Sequence, residues 1–351
     1  MLVNVYTLGR NLIKRSEDLN GGVAVATIKD VAKLAGVAIS TVSYALNDST
    51  RISQATKDKV LKAALQLNYR KNGFASDLKR TKTNTIALIL SDLAGPFYSE
   101  LTKGVQEVSM SNGYDLIACS SQGGPQSTAV KFLKEKRVDA AIILAHNISD
   151  DIIIQSARKG FPIILLDRHL ENDFVVQVEV DNYQGGYDAT EHLIQHGHKE
   201  IAFISGPQNA HDSEMRFNGF KAALRDHELI HHTKWLMQGD FTREGGYRAT
   251  KILIAQGNLP SGVFYANDEM AVGGLQAFRE NKVNVPGDVS IIGFDDIQLA
   301  EFTTPPLTTI KQPKYEAGAL AMHLILQQLS GQHVNPYYKL STELIVRKSV
   351  K

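Results

Sequence analysis

From Asn84 onward the sequence repeats one pattern: short, unbroken apolar runs separated by segments with helical periodicity. The runs fall at 86–90, 116–118, 141–144, 163–166, 201–204, 263–265 and 289–292, and the amphipathic segments include 98–110, 187–196, 216–225 and 270–280. A strand with one solvated face alternates apolar and polar residues; an unbroken apolar run is a strand buried on both faces. Strands of that kind belong to parallel sheets covered by helices on each side. So many βα units predict an α/β fold of two doubly wound parallel-sheet lobes. A fold of this kind binds a ligand between the lobes, at the strand carboxyl ends.

The segment before this pattern is chemically different. Between residues 24 and 83 lie eleven lysines and arginines against four aspartates, although the whole chain has a net charge of only +1. A basic module on an acidic body indicates a polyanionic partner for the module alone; the competing reading is a lysine-rich helical surface. The segment reads as three short helices. The first spans 27–34, with Thr27 as N-cap and Ile28, Val31, Ala32 and Ala35 on one face. Gly36 supplies the backbone freedom for a tight turn. The second spans 39–46, with Val42, Ala45 and Leu46 inward. The third spans 54–67, capped by Ser53, with an apolar stripe of Val60, Leu61, Ala64, Leu65 and Leu67. This is the helix-turn-helix plan, whose second helix enters the major groove.

Specific motifs extend the reading. The run from Ala26-Thr27-Ile28-Lys29-Asp30-Val31 to Gly36-Val37 is followed by Thr41-Val42-Ser43, the 57–60 stretch and Leu67-Asn68-Tyr69. Further on come Phe97-Tyr98, Asp181-Asn182, Gly206-Pro207, Gly239-Asp240-Phe241, Asn267-Asp268-Glu269-Met270-Ala271, Ile292-Gly293-Phe294-Asp295-Asp296, Leu307-Thr308-Thr309-Ile310 and Val346 to Ser349. On these residues the chain resembles the bacterial lactose/galactose repressor family over nearly all of 26–349. The resemblance implies a sequence-specific DNA-binding transcriptional repressor, a homodimer whose operator affinity is controlled by a small effector. It implies an all-α helix-turn-helix headpiece (25–69), a hinge (70–83), and a periplasmic-binding-protein-like effector-binding and dimerisation domain (84–351). Residues 1–24 match nothing in the family and are expected to be a disordered extension, the natural protein starting at position 25. The few residues after Ser349 leave no room for a tetramerising heptad helix, which favours a dimer.

The resemblance also assigns site residues. Ile39, Ser40 and Tyr44 fall where the family reads bases, and an isoleucine can meet a thymine methyl while a serine bonds a base edge. Thr41, Ser43 and Asn47 are phosphate contacts that position without specifying, and Thr27 joins the DNA-binding set. In the hinge, Asn72, Ala75 and Leu78 match, with Leu78 as the wedge that unstacks a base step. Ala38 departs from the family's usual serine, a natural helix cap, and Lys71, Gly73 and Asp77 are atypical of the hinge. The effector cleft is assigned Phe97, Tyr98, Arg168, Arg216, Phe241, Asn267 and Asp295. Carboxylate, amide and guanidinium groups suit hydroxyls, and aromatic rings cover a sugar face. Arg168 would add a second cation for a phosphate or carboxylate. Phe97 and Phe241 as core aromatics, Arg216–Asp295 as a structural ion pair, and Asp167-Arg168 as surface loop are the competing readings. The likeness is strongest to the family's purine-responsive members, yet their purine-reading arginine and threonine positions hold Ala210 and Asp212. A buried site without matching donors reads a purine edge poorly, so the expected effector is a sugar or sugar derivative.

Other classes are opposed by what the sequence contains. No GxxxxGK[ST] loop, GxSxG elbow or metal-ligand cluster occurs, so neither catalysis, a cofactor nor a metal is expected. Cys119 is the single cysteine, which excludes an internal disulfide and fits a reducing cytoplasm. No apolar run approaches the roughly 18 residues of a membrane span. A stand-alone sugar-binding protein would share the two-lobed cleft but would need a signal peptide and would lack the basic helices.

Overall fold

Three helices near the N-terminus start where their capping chemistry allows. The computed structural model describes residues 26–69, 82–135, 137–208 and 210–351, and the chain divides into two units, Met1–Thr81 and Lys82–Lys351. The proposed extension 1–24 and the hinge residues Asn72, Ala75 and Leu78 lie outside the described residues. In the first unit, α1 (Ile28–Ala35) begins after Thr27, whose backbone N–H and hydroxyl both donate to the Asp30 carboxylate at 2.8 and 2.7 Å. Those bonds hold the Asp30 carboxyl below its ordinary pKa. Gly36, in the left-handed region at φ 59°, ends the helix. Next, α2 (Ile39–Leu46) starts at Ala38 with no side-chain cap, and α3 (Gln54–Gln66) starts at Ser53, whose hydroxyl accepts from the Thr56 N–H.

The three helices close a small core of Val31, Ala32, Ala35, Val42, Ala45, Val60, Ala63 and Ala64. The expected stripe of α3 is corrected at two positions. Leu61 is 41% and Leu65 81% exposed, and Ala63 is buried instead. With 100° per residue, a face centred on Val60, Ala63 and Ala64 turns both leucines outward.

In the second unit the apolar runs become strands. One sheet holds β1 (Thr85–Leu90), β2 (Asp115–Ser120), β3 (Ala140–Leu144), β4 (Ile163–Leu166), β5 (Val175–Val180) and β11 (Tyr337–Leu340), in the order β11-β5-β4-β3-β1-β2. All its pairings are parallel. Ile86, Leu88, Ile142 and Ile164 pack on one face of this sheet and Ala87, Ile89, Ile143 and Ile163 on the other, which is why these runs show no alternation. The second sheet holds β6 (Ile201–Ser205), β7 (Leu236–Gln238), β8 (Gly262–Tyr265), β9 (Ser290–Asp295), β10 (Thr308–Lys311) and β12 (Glu343–Ile345). Its order is β12-β10-β9-β8-β6-β7, and only β12 is antiparallel. The core of this lobe includes Trp235, Phe203, Phe220, Phe264, Phe278 and Phe294. The chain passes between lobes three times: after β5, after β10 and after β11.

The helices that carry the site are α4 (Phe97–Ser111), α7 (Asn182–Gln195), α8 (His211–Asp226), α10 (Asp268–Glu280) and α12 (Lys314–Leu329). Between α4 and α7 lie α5 (Thr128–Lys134) and α6 (Asp150–Ser156); α9 (Arg243–Ala255) and α11 (Gln298–Phe302) complete the set. Helices α7 and α8 meet backbone to backbone at Gly186 and Gly219. A Cβ at Gly186 would stand 2.2 Å from the Arg216 carbonyl oxygen, so this close approach fixes the turn of α8 that bears Arg216. Five strands, β5, β7, β10, β11 and β12, were not among the apolar runs. Four of them hold only three or four residues, and β5 alternates with Gln177 and Glu179.

The bare start of α2 yields a prediction. Ala38→Ser restores an acceptor for the first turn and should stabilise the N-terminal unit by about 1 kcal/mol. Thermal unfolding of the full chain should show its headpiece transition rise; an unchanged transition would mean that α2 does not depend on a cap.

Candidate functional site

In the larger unit, polar side chains and one aromatic ring follow the carboxyl ends of strands from both sheets, where a doubly wound fold places its ligand. Asp167 follows β4, Asn182 follows β5, Arg216 follows β6, and Phe241 follows β7. Asn267 follows β8, Asp295 ends β9, and Gln312 and Lys314 follow β10.

Arg216 is the hub, and only 2% of it is exposed. Its Nε donates to Asn182 Oδ1 at 2.9 Å, and one terminal nitrogen donates to the Ala266 carbonyl. The guanidinium stands 3.5 Å from Asp212 and 3.7 Å from Asp295, and it lies 3.8 Å from the centre of the Phe294 ring. The planar fork allows this combination of stacking and directed bonding; a lysine would not.

Asp295, 4% exposed, accepts from Gln312 Nε2 at 2.6 Å, and its backbone carbonyl accepts from Lys314 Nζ. Burial raises its carboxyl pKa, Arg216, Lys314 and Gln312 pull it back, and the result is about 6. Asp167, half-buried, accepts from the Val180 N–H at 2.8 Å. Burial, with Asp212 and Glu179 adding to it, pushes Asp167 up to about 7. Tyr98 is driven to about 12 by burial and then by the carboxylates of Asp212, Asp295 and Asp92. Beneath Asp295, the wholly buried Asp268 accepts from the Thr309 hydroxyl at 2.6 Å and the Ile297 N–H at 2.9 Å. Burial and the nearby Asp295 carboxylate push Asp268 well above the ordinary carboxyl range.

Two features distinguish this region from an ordinary interior. Gln312 Oε1 is buried without a hydrogen-bond partner, beside a small cavity of about 10 Å³ also lined by Phe97, Asp167 and Lys314. Backbone strain also gathers here. Among the described non-glycine residues, Asp167 (φ 50°), Phe241 (65°), Asp295 (116°) and Asp296 (52°) have left-handed backbones. Asp48, Asn68, Glu228 and Lys282 share that conformation but follow helix C-termini, and Asn84 shares it at the turn into β1. Strain without such a local cause gathers where function requires a particular geometry.

The expected effector residues divide by environment. Tyr98, Arg216 and Asp295 converge electrostatically. Phe97 packs edge-on to Tyr98 with ring centres 5.4 Å apart. Phe241 presses its ring on Gly206 and lies 5.8 Å from the Arg216 guanidinium carbon. Asn267 donates to the Phe241 carbonyl at 3.0 Å and caps α10 by accepting from the Met270 N–H. Arg168 donates to the Ala145 and Ile148 carbonyls and pairs with Asp150. Asp167, Asp212, Gln312 and Lys314 were not singled out as effector residues. The signal for Asp167 was its place immediately after an apolar run; nothing in the pattern marked Gln312 or Lys314 for burial.

In the smaller unit, α2 buries Val42 and Ala45 and turns Ile39 (46% exposed), Ser40, Tyr44 (37%) and Asn47 outward. Thr41 and Ser43 are half-buried, and Thr27 is exposed. Arg51, not anticipated, sits against Tyr44, its guanidinium carbon 5.6 Å from the ring centre. Among the described residues no helix is long and apolar enough to cross a membrane, and no group of three or more histidine, cysteine or acidic residues could hold a metal ion.

Comparison with known proteins agrees with this arrangement. Residues 27–72 match the bacterial regulatory proteins of the lacI family, and residues 190–350 match the periplasmic binding protein-like domain. The HTH-type transcriptional repressor PurR of Photobacterium profundum is 36% identical over 331 residues, 93% of this chain and 99% of that protein. The transcriptional regulator CelR–cellobiose complex is 30% identical with a TM-score of 0.70, covering 92% of this chain and 99% of that one. The lac repressor dimer bound to operator and the anti-inducer ONPF is 28% identical with a TM-score of 0.73, covering 92% and 98%. The chain belongs to the lacI family of bacterial regulatory proteins and is a DNA-binding transcriptional repressor controlled by a small effector.

Proposed function

We propose that the effector is a sugar or sugar derivative seated in the cleft between the lobes, and that the chain acts as a cytoplasmic homodimer without catalytic activity. The observation that carries the effector reading is the surplus of acceptors around one buried guanidinium. Gln312 Oε1 has no donor, and Asp167 and Asp295 are held well above the ordinary carboxylate pKa. A buried acceptor without a partner costs about 1–3 kcal/mol. A ligand with hydroxyls on several sides supplies the missing donors. In this reading Asp295, Asp167 and Gln312 accept from hydroxyls, Arg216 holds Asn182, Asp212 and Asp295 in place around the ring, and Phe241, Phe97 and Tyr98 cover its apolar face. Asn267 positions Phe241, and Arg168 holds the loop after β3. The CelR complex with cellobiose, a relative of the same fold, supports the class of ligand.

For the operator, Ile39, Ser40 and Tyr44 read base edges from the exposed side of α2. Thr27, Thr41, Ser43 and Asn47 anchor phosphates. Asn72, Ala75 and Leu78 remain the proposed hinge contacts. Two headpieces of a dimer read two half-sites, as the operator-bound lac repressor dimer supports.

Three outcomes are expected. Asp295→Asn keeps the packing and removes the charge; it should weaken the operator response to effector by roughly ten- to a hundredfold in concentration. Operator affinity without effector should hold, and an unchanged response by fluorescence anisotropy would contradict the assignment. Tyr44→Ala should weaken operator binding by about 1–3 kcal/mol while leaving random DNA nearly unaffected; equal losses on both would remove Tyr44 from base reading.

The third concerns pH. Asp167 and Asp295 titrate near 7 and 6 in the folded chain, above their ordinary 3.8. Between those values the folded state binds more protons than the unfolded, so this contribution to stability falls as pH rises. Hydroxyl donors favour the ionised carboxylates, so sugar binding tightens over the same window. The sugar-induced rise in melting temperature should be larger at about pH 8 than at about pH 6. Equal rises would show that neither carboxylate accepts from the ligand.

A further inference from the structure

Among the described residues, the cations around the cleft, Arg216, Lys314 and Arg168, are each committed to protein acceptors. Arg216 directs its Nε to Asn182, one terminal nitrogen to the Ala266 carbonyl and Asp295, and the other to Asp212. Lys314, 3% exposed, donates to the carbonyls of Asp295 and Asp296 and faces Glu100 at 3.7 Å. Arg168 donates to two carbonyls and pairs with Asp150. The carboxylates are arranged oppositely. Asp212 stands at the first turn of α8 with its side chain 26% exposed. It raises the pKa of Tyr98, Asp167 and Asp295, so its charge reaches each of these groups.

Resting on the sugar reading, we infer that the cleft selects an uncharged sugar and rejects phosphorylated and acidic ones, and that Asp212 is the residue that sets this selectivity. An incoming phosphate brings nearly two negative charges at neutral pH. Here it meets the carboxylates of Asp212 and Asp295, and the guanidinium and ammonium groups described around the cleft already serve protein acceptors. Charge repulsion in a partly desolvated cleft is screened far less than at a surface. A neutral polyol meets no such barrier, and its hydroxyls donate to the same carboxylates. Asp212 does this without being the principal partner of Arg216, which is also bonded to Asn182 and Ala266 and stacked on Phe294.

The test is differential thermal unfolding of full-length wild type and Asp212→Asn at constant ionic strength. The probes are neutral sugars (ribose, galactose, glucose and cellobiose), ribose 5-phosphate, glucose 6-phosphate, glucuronate and inorganic phosphate. The headpiece is identical in both proteins, so anion binding there cancels in the comparison. Wild type should be stabilised by a neutral sugar, and neither by that sugar's phosphate or acid nor by inorganic phosphate. Asp212→Asn should respond to the anionic probes at concentrations at least tenfold lower than wild type. A wild type stabilised more by a sugar phosphate or glucuronate than by its neutral parent overturns the inference, as does an Asp212→Asn protein whose anion response is unchanged. If no sugar of either charge acts while the inorganic phosphate difference appears, the anion exclusion stands and the sugar reading falls. Asp212→Glu, which keeps the charge, should retain wild-type selectivity; loss of selectivity in that variant would assign the effect to shape and overturn the electrostatic account.

Discussion

One guanidinium ties together the segments that follow the strand carboxyl ends in the larger unit. Arg216 is a permanent charge almost wholly removed from water, which is tolerated only where neighbours replace the lost hydration. Here those neighbours are Asn182 at the start of α7, Ala266 after β8, Asp212 one turn earlier on α8, Asp295 at the end of β9, and the face of Phe294. Four separate segments are therefore referred to a single planar group. The contact of Gly186 with the Arg216 backbone, where a side chain at that glycine would collide, fixes the origin of the fork as firmly as its end. The strained backbones at Asp295, Asp296 and Phe241 lie around this centre and persist because the surrounding bonds over-determine them.

The same constraint explains why the cleft suits a hydroxylated ligand. The protein satisfies the guanidinium with its own carboxylates and carbonyls and leaves the complementary deficit on the acceptor side, at Gln312 Oε1 and the elevated carboxyls of Asp167 and Asp295. A site poor in free donors and rich in acceptors asks for a ligand that donates in several directions. The N-terminal unit is built on the opposite principle. Its core is a few small side chains, and its chemistry lies on the exposed face of one eight-residue helix. Family membership joins the two in one repressor; the cleft and the exposed face of α2 rest on independent sets of residues.

Much of this was legible in the sequence because parallel strands buried on both faces leave no polar interruption. The runs at 86–90 and 163–166 therefore marked β1 and β4 directly. Strand β10 was not read as a strand because its Thr308 and Thr309 are buried for their hydroxyls, one bonding Asp268 and the other accepting from the Arg347 N–H. Tyr98, Arg216 and Asp295, which motifs carried, were legible as a group and are electrostatically linked in the structure. Lys314 was not legible, because its burial depends on two carbonyls from a segment eighteen residues away in sequence and more. Leu61 and Leu65 failed for a geometric reason: on a helix packed by alanines, a shift of one residue moves a leucine from core to solvent.

The central claim is that Arg216 organises the cleft for a ligand and is not merely a structural cation. Arg216→Lys keeps the charge and loses the fork. For a sugar that stabilises the wild type, isothermal titration calorimetry should show affinity for Arg216→Lys reduced by about two orders of magnitude, the scale of losing two charge-assisted bonds. Operator affinity without sugar should remain that of the wild type. A lysine variant that folds, binds operator and retains wild-type sugar affinity would contradict the account.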